Sequence, residues 1–354
     1  MRASEAPSAP SPLVRRRIGA RALIVTIAVL AIGCAAWSAA WLYAARAARH
    51  GLDGWIEQEA GHGRLWTCTN LRTVGFPFRL ALLCEEPRFE GVVGGKDRSA
   101  SAAAARVTSA IWSPTLLRIS VAGPVRVRGA GQDHALRLDW RRLRAEVSQP
   151  SASRRRVAAS IDGLSVRIGA SGRQPMVWSM AHLSLAMRPS SKRAGAERLM
   201  LRAQRARIPQ LASLLGVSSP VTGSLNAILT HAGQLAANLS ETGIEQWRRA
   251  GGSLDVANAR ARQGKAHISA SGTLGLDGAH RLRGTLQAQG SHLGQTLARL
   301  GAPPNVIMMN SLVGGLFGAP SSAGRGGLSL PLTFAGGRLS IGPFITSVRL
   351  APLY

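Results

Sequence analysis

Leu164-Ser165-Val166-Arg167-Ile168 and Leu183-Ser184-Leu185-Ala186-Met187-Arg188 decide the fold. In both, an aliphatic or Met side chain recurs at every second position, with Ser, Arg or Ala between. A repeat of two is that of a pleated strand, whose successive side chains point to opposite faces. The pattern extends outward in both directions. Upstream lie Val125-Arg126-Val127-Arg128, Leu136-Arg137-Leu138-Asp139-Trp140 and Leu143-Arg144-Ala145-Glu146-Val147; downstream lie Leu254-Asp255-Val256, His267-Ile268-Ser269 and Leu282-Arg283-Gly284-Thr285-Leu286-Gln287. Leu, Val and Ile share one face while Arg, Ser and Gln share the other, as in an antiparallel sheet with one wet side.

Turn chemistry separates these runs. Asp162-Gly163, Ala170-Ser171-Gly172, Leu276-Asp277-Gly278 and Gly336-Gly337 read as short hairpin connections. The last joins residues 328–334 to 338–341 and is the clearest of them. No fixed repeat period appears, which argues against a regular solenoid. Helical spacing is confined to residues 208–215, with Pro209 in the first turn, to 241–249, with Ile244 and Trp247 on one side ahead of Gly251-Gly252, and to 291–300, with Leu293, Leu297 and Leu300 before Gly301. Residues 304–317 are apolar, and their Met308 and Met309 suit a core; residues 319–327 read as a small-residue loop. The predicted class is therefore mainly β with minor helices (α+β): a large, curved, mostly antiparallel sheet. So few helices leave its apolar face uncovered. Curling with incomplete closure gives an open apolar groove; full closure gives a packed sandwich.

Residues 22–45 carry no charge, and at about 1.5 Å per residue they can cross a hydrocarbon core of about 30 Å with some tilt. Leu23, Ile24, Val25, Ile27, Val29, Leu30, Ile32 and Leu42 together favour insertion by about −4 kcal/mol. Arg15, Arg16, Arg17 and Arg21 flank the near end, Arg46 and Arg49 the far end, and Trp37, Trp41 and Tyr43 stand where amphipathic rings prefer the membrane interface. The expected organisation is a basic cytoplasmic tail (1–21), a transmembrane helix (22–45) and a periplasmic β-rich domain (46–354) at the bacterial inner membrane. Three rivals fit less well. A cleaved signal peptide wants a shorter core and a small-residue exit instead of Trp41-Leu42-Tyr43. A lipoprotein signal is only half matched by Ala31-Ile32-Gly33-Cys34. A twin-arginine signal at Arg15-Arg16-Arg17 precedes too hydrophobic a core.

Over its 354 residues the chain carries 44 basic and 17 acidic side chains, a formal charge of +27, and every basic residue except Lys96, Lys192 and Lys265 is Arg. A nucleic-acid binder mixes Lys with Arg in a patch interleaved with aromatics. Here Arg is dispersed and aromatics are 5% of the chain, so no nucleic acid is expected as a partner. Anionic headgroups attract such a domain by about 1 kcal/mol per well-placed charge.

Of three cysteines, Cys34 sits in the apolar segment, while Cys68 and Cys84 lie 16 apart beyond it. In an oxidising compartment they form a disulfide, worth about 3 kcal/mol of chain entropy; two free buried thiols are the alternative. Between them runs Val74-Gly75-Phe76-Pro77-Phe78-Arg79-Leu80, with Leu80 and Leu82 alternating into a strand toward Cys84. Gly54-Trp55-Ile56-Glu57-Gln58-Glu59-Ala60-Gly61 reads as a helix end continuing from the membrane, with Gly61 and Gly63 as stops.

One membrane segment, this helix, Thr67-Cys68, and Gly75-Phe76-Pro77-Phe78-Arg79 followed by Cys84 resemble the bacterial family of domain of unknown function 2125. The resemblance extends to Leu330-Pro331-Leu332-Thr333-Phe334, Gly337-Arg338-Leu339-Ser340-Ile341-Gly342-Pro343 and the final Pro352-Leu353-Tyr354. It implies an inner-membrane-anchored envelope protein without an assigned activity. A more distant resemblance, carried by the strand-turn-strand unit at residues 272–286, is to AsmA-like proteins, and implies a curved sheet around an apolar groove implicated in handling phospholipid.

Catalytic signatures are sparse. The chain has no phosphate loop and no dinucleotide fingerprint. Gly169-Ala170-Ser171-Gly172 is one residue short of a nucleophile elbow, and His182 falls on the polar phase of a strand. Glu57, Glu59, Glu85 and Glu86 are better explained by ion pairs with Arg64, Arg79 or Arg88 than as paired catalytic carboxylates. The expectation is a non-catalytic protein with no cofactor and no metal site. It binds membrane phospholipid or another apolar ligand, or else serves as a structural adaptor docking envelope proteins.

Overall fold

The computed structural model describes residues 20–93, 96–129, 135–149, 151, 155–170, 173–191, 193–209, 219–237, 241–264, 266–291, 328–342 and 344–353. It opens with α1 (Ala20–Gly61), a 42-residue helix that continues unbroken from the apolar segment through residues 54–61. It stops where the sequence places the stop: Gly63 takes φ 73°, and its N–H reaches the Ala60 carbonyl at 2.9 Å.

Twenty strand segments behind α1 form one sheet. The first ten come in pairs: β1 (Arg64–Thr67) and β2 (Asn70–Val74), β3 (Arg79–Glu85) and β4 (Arg88–Val93), β5 (Lys96–Ser101) and β6 (Ala104–Ala110), β7 (Ser113–Ala122) and β8 (Val125–Gly129), β9 (Ala135–Asp139) and β10 (Arg142–Ser148). Only two residues separate the members of each pair. On one side of these breaks the antiparallel order is β2-β3-β6-β7-β10, and on the other β1-β4-β5-β8-β9. Each pair is thus one long strand interrupted once, and the interruptions lie side by side as a crease across the sheet. The two halves rejoin on β11 (Arg156–Ala170), whose first half pairs with β10 and second half with β9.

From there the meander runs through β12 (Arg173–Pro189), β13 (Glu197–Ala206), β14 (Val221–Leu229), β15 (Leu254–Gln263), β16 (Ala266–Leu276), β17 (Leu282–Ser291), β18 (Leu328–Ala335), β19 (Arg338–Ile341) and β20 (Phe344–Arg349). Each of these pairs antiparallel with its predecessor. Among the described residues the two edges do not meet, so the sheet is open. The class expected from alternation holds, as do the connections at residues 170–173, 276–282 and 335–338.

Asp162-Gly163 is a correction. It is no hairpin: β11 runs straight through it, and the reversal comes at Ala170↔Arg173. The reason lies in the phase of the alternation. Val157, Ala159 and Ile161 are apolar at odd positions, but Leu164, Val166 and Ile168 at even ones. Gly163 at φ 65° breaks the pleat where the phase slips. Its neighbours slip with it, from Leu136 and Leu138 to Leu143, Ala145 and Val147, and from Met176, Trp178 and Met180 to Leu183, Leu185 and Met187. Pro87 and Pro124, lacking N–H groups, also stand in the crease, so the ladder cannot run straight through there. Bonds still bridge it: Glu86 N–H to the Ala103 carbonyl at 3.1 Å, Arg141 N–H to the Asp162 carbonyl at 2.9 Å, and Trp140 Nε1 to the Val121 carbonyl at 2.9 Å. Trp140 therefore belongs to the crease and not to β9.

Register aligns whole rows of side chains. Leu82, Val107, Ile119, Ala145, Ala159, Leu185, Leu201, Leu225, Ala259, Ala270, Ala288 and Leu330 are successive partners from β3 to β18. One position on, facing the other way, Arg106, Ser120, Arg144, Ser160, Ser184, Arg202, Ser224, Arg260, Ser269 and Gln289 are likewise partners. Among the described residues no large side chain is fully buried, and Leu201 keeps 37% of its surface.

Two short helices, α2 (Ala232–Ala237) and α3 (Glu241–Arg249), lie in sequence between β14 and β15. α3 matches the expected residues: Trp247 is buried, donates Nε1–H to the Thr230 carbonyl at 2.7 Å, and lies flush on Gly252, where a Cβ would meet the ring at 2.3 Å. The helices expected at 208–215 and 291–300, the Met308-Met309 segment and the loop 319–327 fall outside the described residues, except that Pro209 is helical and Ser291 closes β17 instead of opening a helix. Replacing Trp247 with Ala is expected to cost about 3–5 kcal/mol, the range for a buried aromatic. Gly252→Ala is also expected to destabilise by displacing the ring. Urea unfolding of both variants, followed by circular dichroism in detergent, checks this.

Candidate functional site

The motif turn forms because Gly75 adopts φ 110°, a conformation that L side chains resist. A Cβ there would lie 2.8 Å from the Arg79 carbonyl oxygen. Arg79 N–H closes the turn on the Gly75 carbonyl at 2.9 Å, and β2 and β3 then run antiparallel with Leu71 opposite Cys84. Cys68, just before β2, is disulfide-bonded to Cys84 with Cα atoms 5.6 Å apart. The expected bridge is formed, and it ties the start of the β2–β3 hairpin to its end.

The turn sits against α1. Trp37 Nε1–H donates to the Pro77 carbonyl at 3.0 Å, and Trp41 Nε1–H to the Arg79 carbonyl at 2.9 Å. The Trp41 ring meets Phe76 edge-on at 5.6 Å between centroids. Trp37 is 6.5 Å from Phe78, and Phe78 is 6.3 Å from Trp112 on the neighbouring β6–β7 hairpin. Further along, Arg49 donates to the Leu71 carbonyl, Arg64 pairs with Glu59 at 2.7 Å, and Trp55, Trp66 and Phe89 stack at 5.6 and 4.8 Å. Gly75, Phe76, Pro77, Phe78, Arg79, Trp37 and Trp41, singled out separately in the sequence, therefore form one junction. Tyr43 stands apart, 76% exposed; Arg21 is on the exposed start of α1, while Arg15, Arg16 and Arg17 lie outside the described residues. Sequence reasoning missed Trp112. Its signal was an aromatic in the two-residue link between Ala110 and Ser113. Of the expected ion pairs, Arg64 and Arg88 take part, Arg88 with Glu86 at 3.3 Å, but Glu85 pairs with Arg72 and not Arg79. Arg72 is cross-strand from Leu83, two residues before Glu85, and β2–β3 pairing brings it within reach.

Among the described residues, a depression of about 750 Å³ is lined by Arg144, Ser160, Ser184, Arg202, Ser224 and Arg260 of the polar register, by Glu146, Ala158, Ala186, Met200, Asn226 and Asn258, and by Ala159, Leu185, Leu201 and Leu225 of the apolar row. Arg144, Arg202 and Arg260 give this depression a cationic character, while Leu185, Leu201 and Leu225 add apolar surface to it. Glu146 is engaged by Arg118 at 3.0 Å.

Several carboxylates are engaged by neighbouring groups. The His182 ring bonds Asp162 at 2.7 Å across β11 and β12 and holds that carboxyl below its usual range. The Arg137 guanidinium does the same for Asp139, and the Arg281 N–H for Asp277. Burial acts oppositely on Glu197, pushing it up. A carboxyl depressed in the folded state stabilises above its unfolded pKa of about 3.9, and that contribution fades as pH falls further. Thermal unfolding is expected to drop below about pH 4, and less so for Asp162→Asn than for the parent; melts across an acid series check it. Gly75→Ala should lower stability and weaken the turn's hold on α1, read as increased accessibility of Trp37 and Trp41 to aqueous quenchers.

A family described as an uncharacterized protein conserved in bacteria (DUF2125) matches residues 41–350. No curated protein and no solved structure matches the chain. The matched span begins at Trp41 and takes in the disulfide, the motif turn and the sheet through β20, so the chain belongs to this bacterial family.

Proposed function

We propose that this is an inner-membrane-anchored periplasmic protein that binds or handles phospholipid or another apolar ligand in envelope maintenance, without catalysis or a cofactor. One observation carries the reading: aligned apolar rows cross the open sheet, and with only the described residues around them Leu117 and Leu201 each keep 37% of their surface. A soluble monomer rarely leaves so continuous an apolar face to water. Acyl chains would cover it. Support also comes from α1, long and apolar enough to cross a membrane, and from the resemblance of the strand-turn-strand sequence at residues 272–286 to AsmA-like proteins. The basic flank at Arg15, Arg16, Arg17 and Arg21 favours a cytoplasmic N-terminus.

The cationic depression favours a second reading, an adaptor whose polar face docks acidic envelope partners. Arg144, Arg202 and Arg260 line it, and none has an acidic partner among the described residues. Phospholipid carrying a photoreactive group in its acyl chain separates the two. In membranes containing the full chain, labelling of peptides bearing Leu185, Leu201 and Leu225 is expected. Labelling restricted to α1 and the adjoining hairpin tips would count for the adaptor. For topology, a C-terminal alkaline phosphatase fusion is expected to be active and a C-terminal fluorescent-protein fusion dark.

A further inference from the structure

We propose that Phe76, Phe78 and Trp112, at the tips of two neighbouring hairpins, enter the headgroup–acyl boundary of the bilayer crossed by α1 and form a second membrane anchor beside the helix. The inference rests on reading α1 as membrane-spanning and adds to it the depth of the sheet's end.

Height along the helix sets that depth. Trp37 and Trp41 lie about 22 and 28 Å beyond Ala22 at ~1.5 Å per residue, within a hydrocarbon core of about 30 Å. Their indoles hold the Pro77 and Arg79 carbonyls, so the turn is fixed at the helix's far membrane boundary. What it displays there suits that boundary: Phe76, Phe78 and Trp112 are 56%, 58% and 70% exposed. Aromatic rings concentrate at such interfaces.

A second observation concerns the backbone. Backbone polar groups entering lipid need partners inside the protein, and several carbonyls at these tips have them. The Gly75 carbonyl accepts from Arg79 N–H and the Phe78 carbonyl from Ile111 N–H at 3.3 Å, the two indoles serve the carbonyls of Pro77 and Arg79, and Pro77 has no N–H to satisfy. On the other hairpin, the Ser109 hydroxyl reaches the carbonyls of Ala110 and Ser113 at 3.3 and 3.1 Å. Arg79 follows the aromatic pair with a stem long enough to extend its charge to the headgroups.

Depth-resolved quenching tests this. The full chain is reconstituted in vesicles of phosphatidylethanolamine and phosphatidylglycerol. An environment-sensitive fluorophore is placed on native Cys34 or, in a Cys34→Ser background, on Trp112→Cys, Phe78→Cys or, as an aqueous control at the opposite end of the strands, Asp97→Cys. Nitroxide lipids quench at shallow or deep positions. The expected result is deep quenching at 34, shallow quenching with blue-shifted emission at 112 and 78, and water-like emission at 97. Deep quenching at 34 with 112 and 78 both resembling 97 would overturn the second anchor while leaving the span intact. Absence of quenching at 34 would overturn the span, and the anchor with it.

Discussion

The first ten strand segments pair within two arms, every later strand hydrogen-bonds to its predecessor in the chain, and through this ladder one side-chain phase is held from β3 to β18. A slip of one residue anywhere would send a row of Leu and Val to the Arg side. At the crease the apolar phase slips by one on β9–β10, β11 and β12 together, with Gly163 in the left-handed region marking the change on β11. The crease divides the first part of the sheet into two arms, which rejoin on β11.

With no large side chain fully buried among the described residues, the body depends on the ladder and on a few fastenings outside it. Four of these share one chemistry. Trp37, Trp41, Trp140 and Trp247 each give an indole N–H to a backbone carbonyl of another element. An indole is suited to this: it covers a broad apolar area while its single donor fixes the contact in one orientation. Trp37 and Trp41 bind helix to hairpin, Trp140 spans the crease, and Trp247 seats α3 on Gly252. The disulfide adds a fifth fastening at the first hairpin, close to where α1 hands the chain to the sheet.

The arginine excess acquires a geometry in the folded chain. On the polar phase, Arg106, Arg144, Arg202 and Arg260 stand in one row with Ser between them, a cationic track at right angles to the strands. Strands are about 4.8 Å apart, so the guanidiniums are separated by two or three strand spacings, enough to limit mutual repulsion while water screens the rest. Thus one sheet carries an apolar side and a basic side.

Local rules determined much of this protein. Period-two alternation specified the strands, Gly-rich pairs the turns at 276–282 and 335–338, a 24-residue uncharged run the helix, and cysteine spacing the bridge. These are legible because each depends on residues near one another in the chain. Asp162-Gly163 was misread because an Asp-Gly pair suits a tight turn as well as a strand break, and only pairing with β9, β10 and β12 on both sides distinguishes them. The cationic depression and the gathering of Phe76, Phe78 and Trp112 beside Trp37 were decided by tertiary structure. Which side of a sheet is concave, and which hairpin tip meets a helix, follows from long-range register and strand stagger, and no local run of sequence encodes either.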